Sequence, residues 1–516
     1  MSENRIMTTT SSFEIMRSKG ALYIDKTALI YRMVSGINNA YFLSRPRRFG
    51  KSLLVSTIQA YFEGRRELFD GLAIADLEKE WLQYPVFKFD MSNMKDMAVE
   101  KLESKLIWML SQYEEIYGRK DHENTPSLKL MGLLSRAREK TGRRAVVLID
   151  EYDTPLLDNL MDGPTLETMR NKLRDFYGVL KERTDDLRFV FITGITKFSQ
   201  LSIFSAMSSL VTISMSDAYA AICGITKDEL ITELAPEVRE MAQALHVSES
   251  TVLARLKKKY DGYHFCIPSP DIYNPLSLLR ALDSKKLHNY WYSTGTPTFL
   301  TKAVGNYTIR PEELDGFWAS EMDFDVSIEE AETPIAILYQ SGYLTIKKCD
   351  GYDYMLGFPN EEVRVSFIKA LAPYYTKKTA TETNSTIQKV MRAFRNHDID
   401  TAMQLLRSFF SSIPYNAEKQ DENHYKTIFY LIFTLASDYT VRTEQCSAAG
   451  RCDALIETED TIYLFEFKLN GTAEEALKQI DDKGYAIQYE AGDKRIVKIG
   501  ANFERDRRTI ERWIVR

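Results

Sequence analysis

"YFLSRPRRFGKSLL" (residues 41–54) decides how the N-terminal half is read. A short apolar strand runs into a turn rich in cations. A glycine–lysine–serine then opens a helix with Leu53, Leu54, Ile58, Tyr61 and Phe62 at helical spacing. A phosphate-binding loop has the form GxxxxGK[ST]. Its backbone N–H groups and the following helix N-terminus cradle phosphates, its lysine reaches the β- and γ-phosphates, and its hydroxyl binds Mg²⁺. Gly50, Lys51 and Ser52 supply the second half of that pattern, and Arg45 stands where the first glycine would be. The missing glycine mainly eases the turn out of the strand, and Pro46 stiffens the same turn by fixing φ. Phe49 completes the loop, and Arg45, Arg47 and Arg48 are expected to add positive charge beside the anion.

Working outward, "AVVLIDEYD" (145–153) is an apolar strand ending in acids. In such a site Asp150 would share the Mg²⁺ with Ser52, and Glu151 would polarise the attacking water. "FVFITGITK" (189–197) is a further strand, closed by Thr193, which is placed to sense a γ-phosphate. "YPVFKFDMS" (84–92) and "SSLVTIS" (208–214) are also strands, and helical patterns fall at 98–117 and 166–183. Strands separated by helices imply βαβ units, and runs without alternation fit strands covered on both faces of a parallel sheet.

The pattern changes after about residue 225. Helical segments at 226–245 and 248–263 precede a loop rich in Pro and Ser at 266–282, and "YLTIKKCDGYDYMLGF" (343–358) is two strands around an Asp350–Gly351 turn. This fits a helical lid or winged-helix unit. "YYTKKTATETNST" (374–386) has the composition of a linker. From there a helical stretch leads to a C-terminal α/β unit: a helix over 422–437, strands at 439–446, 451–458 and 461–469, a helix over 472–490 and a strand at 494–503. The end, "ERDRRTIERWIVR" (504–516), fits an amphipathic helix held by Trp513 and Ile514. The expected division is 1–225, 226–375, 376–415 and 416–516.

In "RCDALIETEDTIYLFEFKLNG" (451–471), Glu466 and Lys468 are two apart on a strand and so share a face. Pairing with the preceding strand brings Asp453 beside Glu466. Two facing carboxylates hold Mg²⁺ through oxygen ligands, and the lysine orients water and stabilises a pentavalent phosphate: the parts of metal-dependent phosphodiester hydrolysis.

The totals bound the function. At roughly 100–200 residues per domain, 516 residues hold about three domains. With 44% hydrophobic and 27% charged residues the chain can bury several cores. A net charge of -6 argues against a nucleic-acid coat over the whole surface and leaves room for a local basic channel. Five scattered cysteines without a CxxC pair point to free thiols in a reducing compartment, and six scattered histidines argue against a zinc site. Residues 1–20 lack the apolar centre of a signal peptide, and "FYLIFTLA" (429–436) falls short of the ~20 residues of a membrane span. A cytoplasmic protein without membrane contact is expected.

Two resemblances join these observations. "YIDKT" (23–27), "LSRPRRFGKS" (43–52), "LIDEYD" (148–153), "TGITKFSQLSIFS" (193–205), "YDGYHF" (260–265), "STGTPTFL" (293–300) and "LYQSGYLTIK" (338–347) resemble the bacterial AAA-ATPase-like family, where RPRRFGKS is the usual loop. This implies a P-loop parallel sheet of the AAA-related, additional-strand type, with ATP and Mg²⁺ at Arg47–Ser52, Asp150 and Thr193. The last ~95 residues resemble the PD-(D/E)XK nuclease superfamily, a restriction-endonuclease-like α/β fold. The resemblance implies Asp453, Glu466 and Lys468 as the catalytic set, Glu422 as the helix acid near the metal, and Gln479 as a substrate contact; Cys452 replaces the proline of the superfamily's name. The expected protein is an ATP-controlled, Mg²⁺-dependent nuclease, with DNA as the favoured substrate and a foreign- or mobile-DNA role. Homo-oligomers are open, with Arg45, Arg47 or Arg48 as candidate fingers across a subunit boundary. The alternative is an ATP-switched nucleic-acid-binding or scaffold protein whose nuclease fold does not cut.

Overall fold

Apolar runs without alternation form the middle of the first sheet, because both faces of such a strand must be covered. In the computed structural model, β1 (Ala40–Ser44), β2 (Val86–Asp90), β3 (Ala145–Asp150), β4 (Leu187–Gly194) and β5 (Leu210–Thr212) pair in the order β2-β3-β4-β1-β5, every pair parallel. All six residues of β3 are buried. β4 therefore separates the strand that feeds the loop from the strand that ends in acids, the additional-strand layout. The structure describes residues 5–92, 99–157, 159–160, 162–197, 210–291, 311–328, 331–376, 379–412, 430–432, 434–435, 441–447, 450–458, 460–468, 471–504 and 509–516. The chain divides into two compact units, residues 1–308 with 316–363 and residues 309–315 with 364–516.

The longest helices described in this part of the chain are α1 (Lys51–Phe62), α2 (Val99–Tyr117), α3 (Pro126–Thr141) and α4 (Gly163–Glu182). α3 is absent from the sequence expectation, although its signals are local. Thr125 caps it by accepting from the Leu128 N–H, Pro126 occupies its first turn, and Gly142 closes it at φ 68. Beyond the sheet, α5 (Lys227–Glu233), α6 (Ala235–Leu245), α7 (Glu249–Tyr260) and α8 (Pro275–Ser284) pack around Leu230, Leu234, Met241, Val252, Leu256 and Leu278. The helix expected over 226–245 is two, broken at Leu234, because Pro236 suits a first turn and not an interior. The stretch 266–282 is not a plain loop. It carries β7 (Ile272–Tyr273), paired with β6 (Ile225–Thr226), and then α8, whose cap Asn274 accepts from the Ser277 N–H. Asn–Pro there is a helix start. The hairpin at Asp350–Gly351 forms as expected: β8 (Phe317–Ser320), β9 (Thr345–Cys349) and β10 (Asp353–Gly357) make an antiparallel sheet in the order β8-β10-β9.

In the second unit, β11 (Val441–Ser447), β12 (Gly450–Glu457), β13 (Thr461–Lys468), β14 (Arg495–Glu504) and β15 (Thr509–Val515) pair in chain order. Only the β13–β14 pair is parallel. The Thr-rich stretch expected as a linker is largely the start of α9 (Ala380–Arg395), opened by a Thr379–Glu382 capping box. α9 and α10 (Ile399–Ser411) belong to the core of this unit. Phe394 meets Tyr463 and Phe465, and Phe410 meets Phe503. The expected terminal helix is instead β15. Thr509, Ile510, Ile514 and Val515 are β-branched, and the strand is fixed by Thr509 Oγ1 donating to the Arg407 carbonyl and Trp513 Nε1 donating to Asp400. The helix expected over 472–490 is shorter, α11 (Ala473–Asp482), and ends before Gly484 at φ 58.

α11 crosses from β13 to β14 and lies tight on the sheet. A Cβ on Gly500 would collide with the Ala473 carbonyl and the Leu477 amide, and Gly500 is the register partner of Glu466. Gly500→Ala should therefore lift α11 from the sheet. The expected loss is about 1–3 kcal/mol, the usual range for overpacking, read as a lowered urea midpoint for the second unit; an unchanged midpoint would refute the close approach.

Candidate functional site

The carboxyl ends of β1, β3 and β4 converge where open parallel sheets bind ligands. The turn from β1 to α1 needs two left-handed residues, Arg48 at φ 65 and Gly50 at φ 91. Gly50 caps α1 without a side-chain bond, so its exposed backbone edge is free of side-chain cover. Lys51 is 4% exposed, and its Nζ donates to the carbonyls of Arg45 (2.9 Å) and Pro46 (3.1 Å). Burial pushes the amine's pKa down while Glu151, Asp150 and Asp153 pull it up. Arg48 is exposed and Arg47 half-buried. Arg45 departs from expectation. It is 1% exposed and donates to the carbonyls of Ser44 (2.9 Å) and Ser214 (2.7 Å), so its charge faces the interior and not an anion, and it is no finger toward another subunit. Phe49 is buried. Beside the loop an apolar cleft is lined by Tyr23, Ile24, Gly50, Ile222, Gly224 and Leu279.

Asp150 ends β3 at 3% exposure, hydrogen-bonded to Ser52, with its Oδ1 buried and unpartnered among the described residues. Burial pushes its carboxyl up to about 6; the Ser52 bond opposes this and Glu151 adds to it. A buried carboxylate oxygen without a donor, beside a serine hydroxyl and below a phosphate-type loop, fits a hydrated divalent cation. Glu151 follows at φ 52, half-buried, accepting from Thr154 Oγ1 at 3.3 Å. Thr193 is fully buried, and its hydroxyl donates to the Leu43 carbonyl at 2.8 Å, tying β4 to the strand that feeds the loop. Asp153 escaped sequence reasoning. Its Oδ2 accepts from the amides of Ile195 (2.9 Å) and Thr196 (2.7 Å) and from Thr196 Oγ1 (2.7 Å), fixing the segment after β4. Its place in "LIDEYD", one turn past the metal-side acid, was the available signal.

In the second unit, β12 and β13 pair Ala454 with Phe465, so the next step of the register sets Asp453 opposite Glu466. Asp453 Oδ2 accepts from the Phe467 amide at 2.9 Å. Glu466 is 3% exposed; Lys468 Nζ lies 3.7 Å from its Oε1. Gln479 on α11 links the two, its Oε1 accepting from Lys468 Nζ and its Nε2 donating to Glu466 Oε1. Asp453, Glu466, Lys468 and Gln479 are thus brought together. Glu422 lies outside the described residues. Cys452 is buried, its thiol pushed up to about 12 by burial and then by Asp453 and Glu466, so it is inert packing where a proline was absent. Among the described residues no group of three or more His, Cys, Asp or Glu gathers around a point. Two carboxylates still suit Mg²⁺, which uses one or two of them together with substrate phosphate oxygens and water.

Comparison with known proteins finds relatives for both parts of the chain. Residues 8–204 match the family described as "Predicted AAA-ATPase", and residues 420–513 match the PD-(D/E)XK nuclease superfamily. The chain is 32% identical over 507 residues to an "Uncharacterized protein in vnfD 5'region" of Azotobacter chroococcum mcd 1, covering 96% of this chain and 95% of that protein. Among the described residues no helix is long and apolar enough to cross a membrane.

Asp150 supplies a pH test. Its carboxyl is raised from 3.8 to about 6, so the folded protein holds this proton more tightly than the unfolded chain. Stability from this group is full below about pH 4 and is lost as pH rises through about 6. Asp150→Asn should thus raise the stability of the free protein at pH 7.5 by up to about 3 kcal/mol, with the gap closing toward pH 4. Thermal melts at the two pH values decide it; a gap that does not change with pH contradicts the buried, unpartnered carboxylate.

Proposed function

We propose, for a chain that belongs to the family joining a predicted AAA-ATPase domain to a C-terminal PD-(D/E)XK nuclease superfamily domain, that it is a Mg²⁺-dependent nuclease controlled by ATP. The reading is carried by one observation: the register sets Asp453 of β12 opposite Glu466 of β13, and Gln479 of α11 links Glu466 to Lys468. Asp453 and Glu466 would hold the metal, with Glu422 as a further ligand. A metal bound there would supply Lewis acidity and a water of lowered pKa. Lys468 orients that water and answers charge growing on the phosphate. Gln479 holds Lys468 and Glu466 in register and can turn to the substrate.

At the other end, Gly50, Lys51 and Ser52 with Arg47, Arg48 and Phe49 form the phosphate cradle, and the apolar cleft beside Gly50 suits the adenine of ATP. Ser52 and Asp150 would share the Mg²⁺, and Glu151 would orient the attacking water. Thr193 acts on the loop through its bond to Leu43. The substrate is nucleic acid, with DNA, foreign or mobile, favoured by the pairing of these domains; the setting is the bacterial cytoplasm. The division into an ATPase part to residue 225, a helical middle to 375, a connecting segment to 415 and a nuclease part beyond is proposed with it, and a homo-oligomer is compatible.

Cleavage of plasmid and single-stranded DNA by the full chain, with Mg²⁺ or EDTA and with or without ATP, tests the reading. Wild type should cut only with metal. Lys468→Ala should lower the rate at least about 100-fold. Lys51→Ala should remove the response to ATP while leaving any ATP-independent cutting. Folded wild type that binds DNA and never cuts would replace this reading by an ATP-switched binding protein.

A further inference from the structure

Arg45, which breaks the phosphate-loop pattern, is built into an aromatic cluster. Its guanidinium is desolvated, which is costly unless its donors are met. Nη1 donates to the carbonyls of Ser44 (2.9 Å) and Ser214 (2.7 Å) and Nη2 to the carbonyl of Tyr219 (3.4 Å), while Nε has no hydrogen-bond acceptor among the described residues. Its partners among the described residues also include the face of Phe265, with the guanidinium carbon 4.0 Å from the ring centroid. Phe265 in turn meets Phe49 edge-on, centroids 5.4 Å apart, and Tyr263 meets Phe49 at 4.7 Å. Tyr263 and Phe265 lie nearly parallel, 21° apart, and the Tyr263 hydroxyl donates to the Gly342 carbonyl. The Phe49 carbonyl accepts from the Gly224 amide at 3.2 Å. Loop positions 45 and 49 are thus seated in the 260–265 segment, while Arg48 and Gly50 face outward.

The two seated positions bracket the carbonyls that hold the lysine. Arg45 O and Pro46 O accept from Lys51 Nζ, so the place of the amine depends on where Arg45 is pinned. We propose that Phe265 is a positioning residue for the nucleotide: its ring holds Arg45 and Phe49, and through them the loop carbonyls that aim Lys51 at the phosphates. The proposal rests on the nucleotide reading of this loop. It has a counter-intuitive consequence. Arg45→Gly restores the general GxxxxGK pattern, yet it removes the ring contact and three carbonyl bonds, and it should weaken nucleotide binding.

The test is equilibrium binding of a fluorescent ATP analogue to the full chain, for wild type, Lys51→Ala, Arg45→Gly, Arg45→Lys, Phe265→Leu and Phe265→Tyr. Melting temperatures identify the variants that fold, and Arg45→Lys replaces Arg45→Gly if the latter does not. Phe265→Leu and Arg45→Gly should raise Kd about 5- to 30-fold, the range of a desolvated cation–π contact. Phe265→Tyr keeps the ring face and should stay within about twofold of wild type. A packing role alone predicts instead that Leu, which retains apolar volume, binds as wild type; that result, or Leu and Tyr behaving alike, overturns the proposal. If Lys51→Ala binds as tightly as wild type, or wild type does not bind, the nucleotide reading itself falls and takes the proposal with it.

Discussion

A nearly buried ammonium is the constraint on which the first unit depends. Lys51 is removed from water before any ligand arrives, so its charge must be answered from within. Two loop carbonyls do part of this, and the field of Glu151, Asp150 and Asp153 does the rest. Those acids come from the end of β3 and the turn after it, and the loop comes from β1. With β4 between them, the two strands stand about 9–10 Å apart, twice the spacing of paired strands. Direct pairing of β1 with β3 would close that gap and turn lysine and acid into a simple ion pair. The inserted strand keeps them in one another's field with room for a phosphate and a cation.

The same spacing explains the state of Asp150. A carboxylate bonded to a serine but lacking a lysine contact is under-compensated, and burial raises it to about 6. Asp153, three residues on, is buried more deeply, yet one of its oxygens is saturated by Ile195 and Thr196. Each acid keeps its Oδ1 buried and unpartnered among the described residues, and the second also holds the chain after β4 in place through its Oδ2.

Much of this was legible in the sequence because it rests on local pattern. Non-alternating apolar runs marked β1, β3 and β4, and the period-two spacing of Glu466 and Lys468 placed them on one face of β13. What escaped depends on tertiary partners. Arg45 looked like surface charge in a cationic run, and distant partners, the carbonyls of Ser214 and Tyr219 and the ring of Phe265, make it a core residue. Residues 509–515 carry enough charge to pass for a solvated helix; pairing with β14 makes them a strand, since β preference is largely a matter of neighbours. The Thr-rich run at 379–386 has linker composition, but its capping box and the aromatic face that ends in Phe394 commit it to a helix packed on the second sheet. α3 is a different case, since its cap, proline and closing glycine were all visible.

The C-terminal site handles its charges by another route. Glu466 is as buried as Asp150, but Gln479 bridges it to Lys468. A carboxamide suits this place: its N–H faces a carboxylate and its C=O faces an ammonium, so both ions are met while the amide itself stays neutral. The bridge depends on how closely α11 lies against the sheet, and that depends on the absent side chain of Gly500 beside Glu466. A helix raised by one methyl group would leave Gln479 short of both partners and a carboxylate and a lysine free to pair directly, the arrangement least able to admit a cation. The geometry of the candidate nuclease site thus rests on a glycine of the neighbouring strand as much as on the acids themselves.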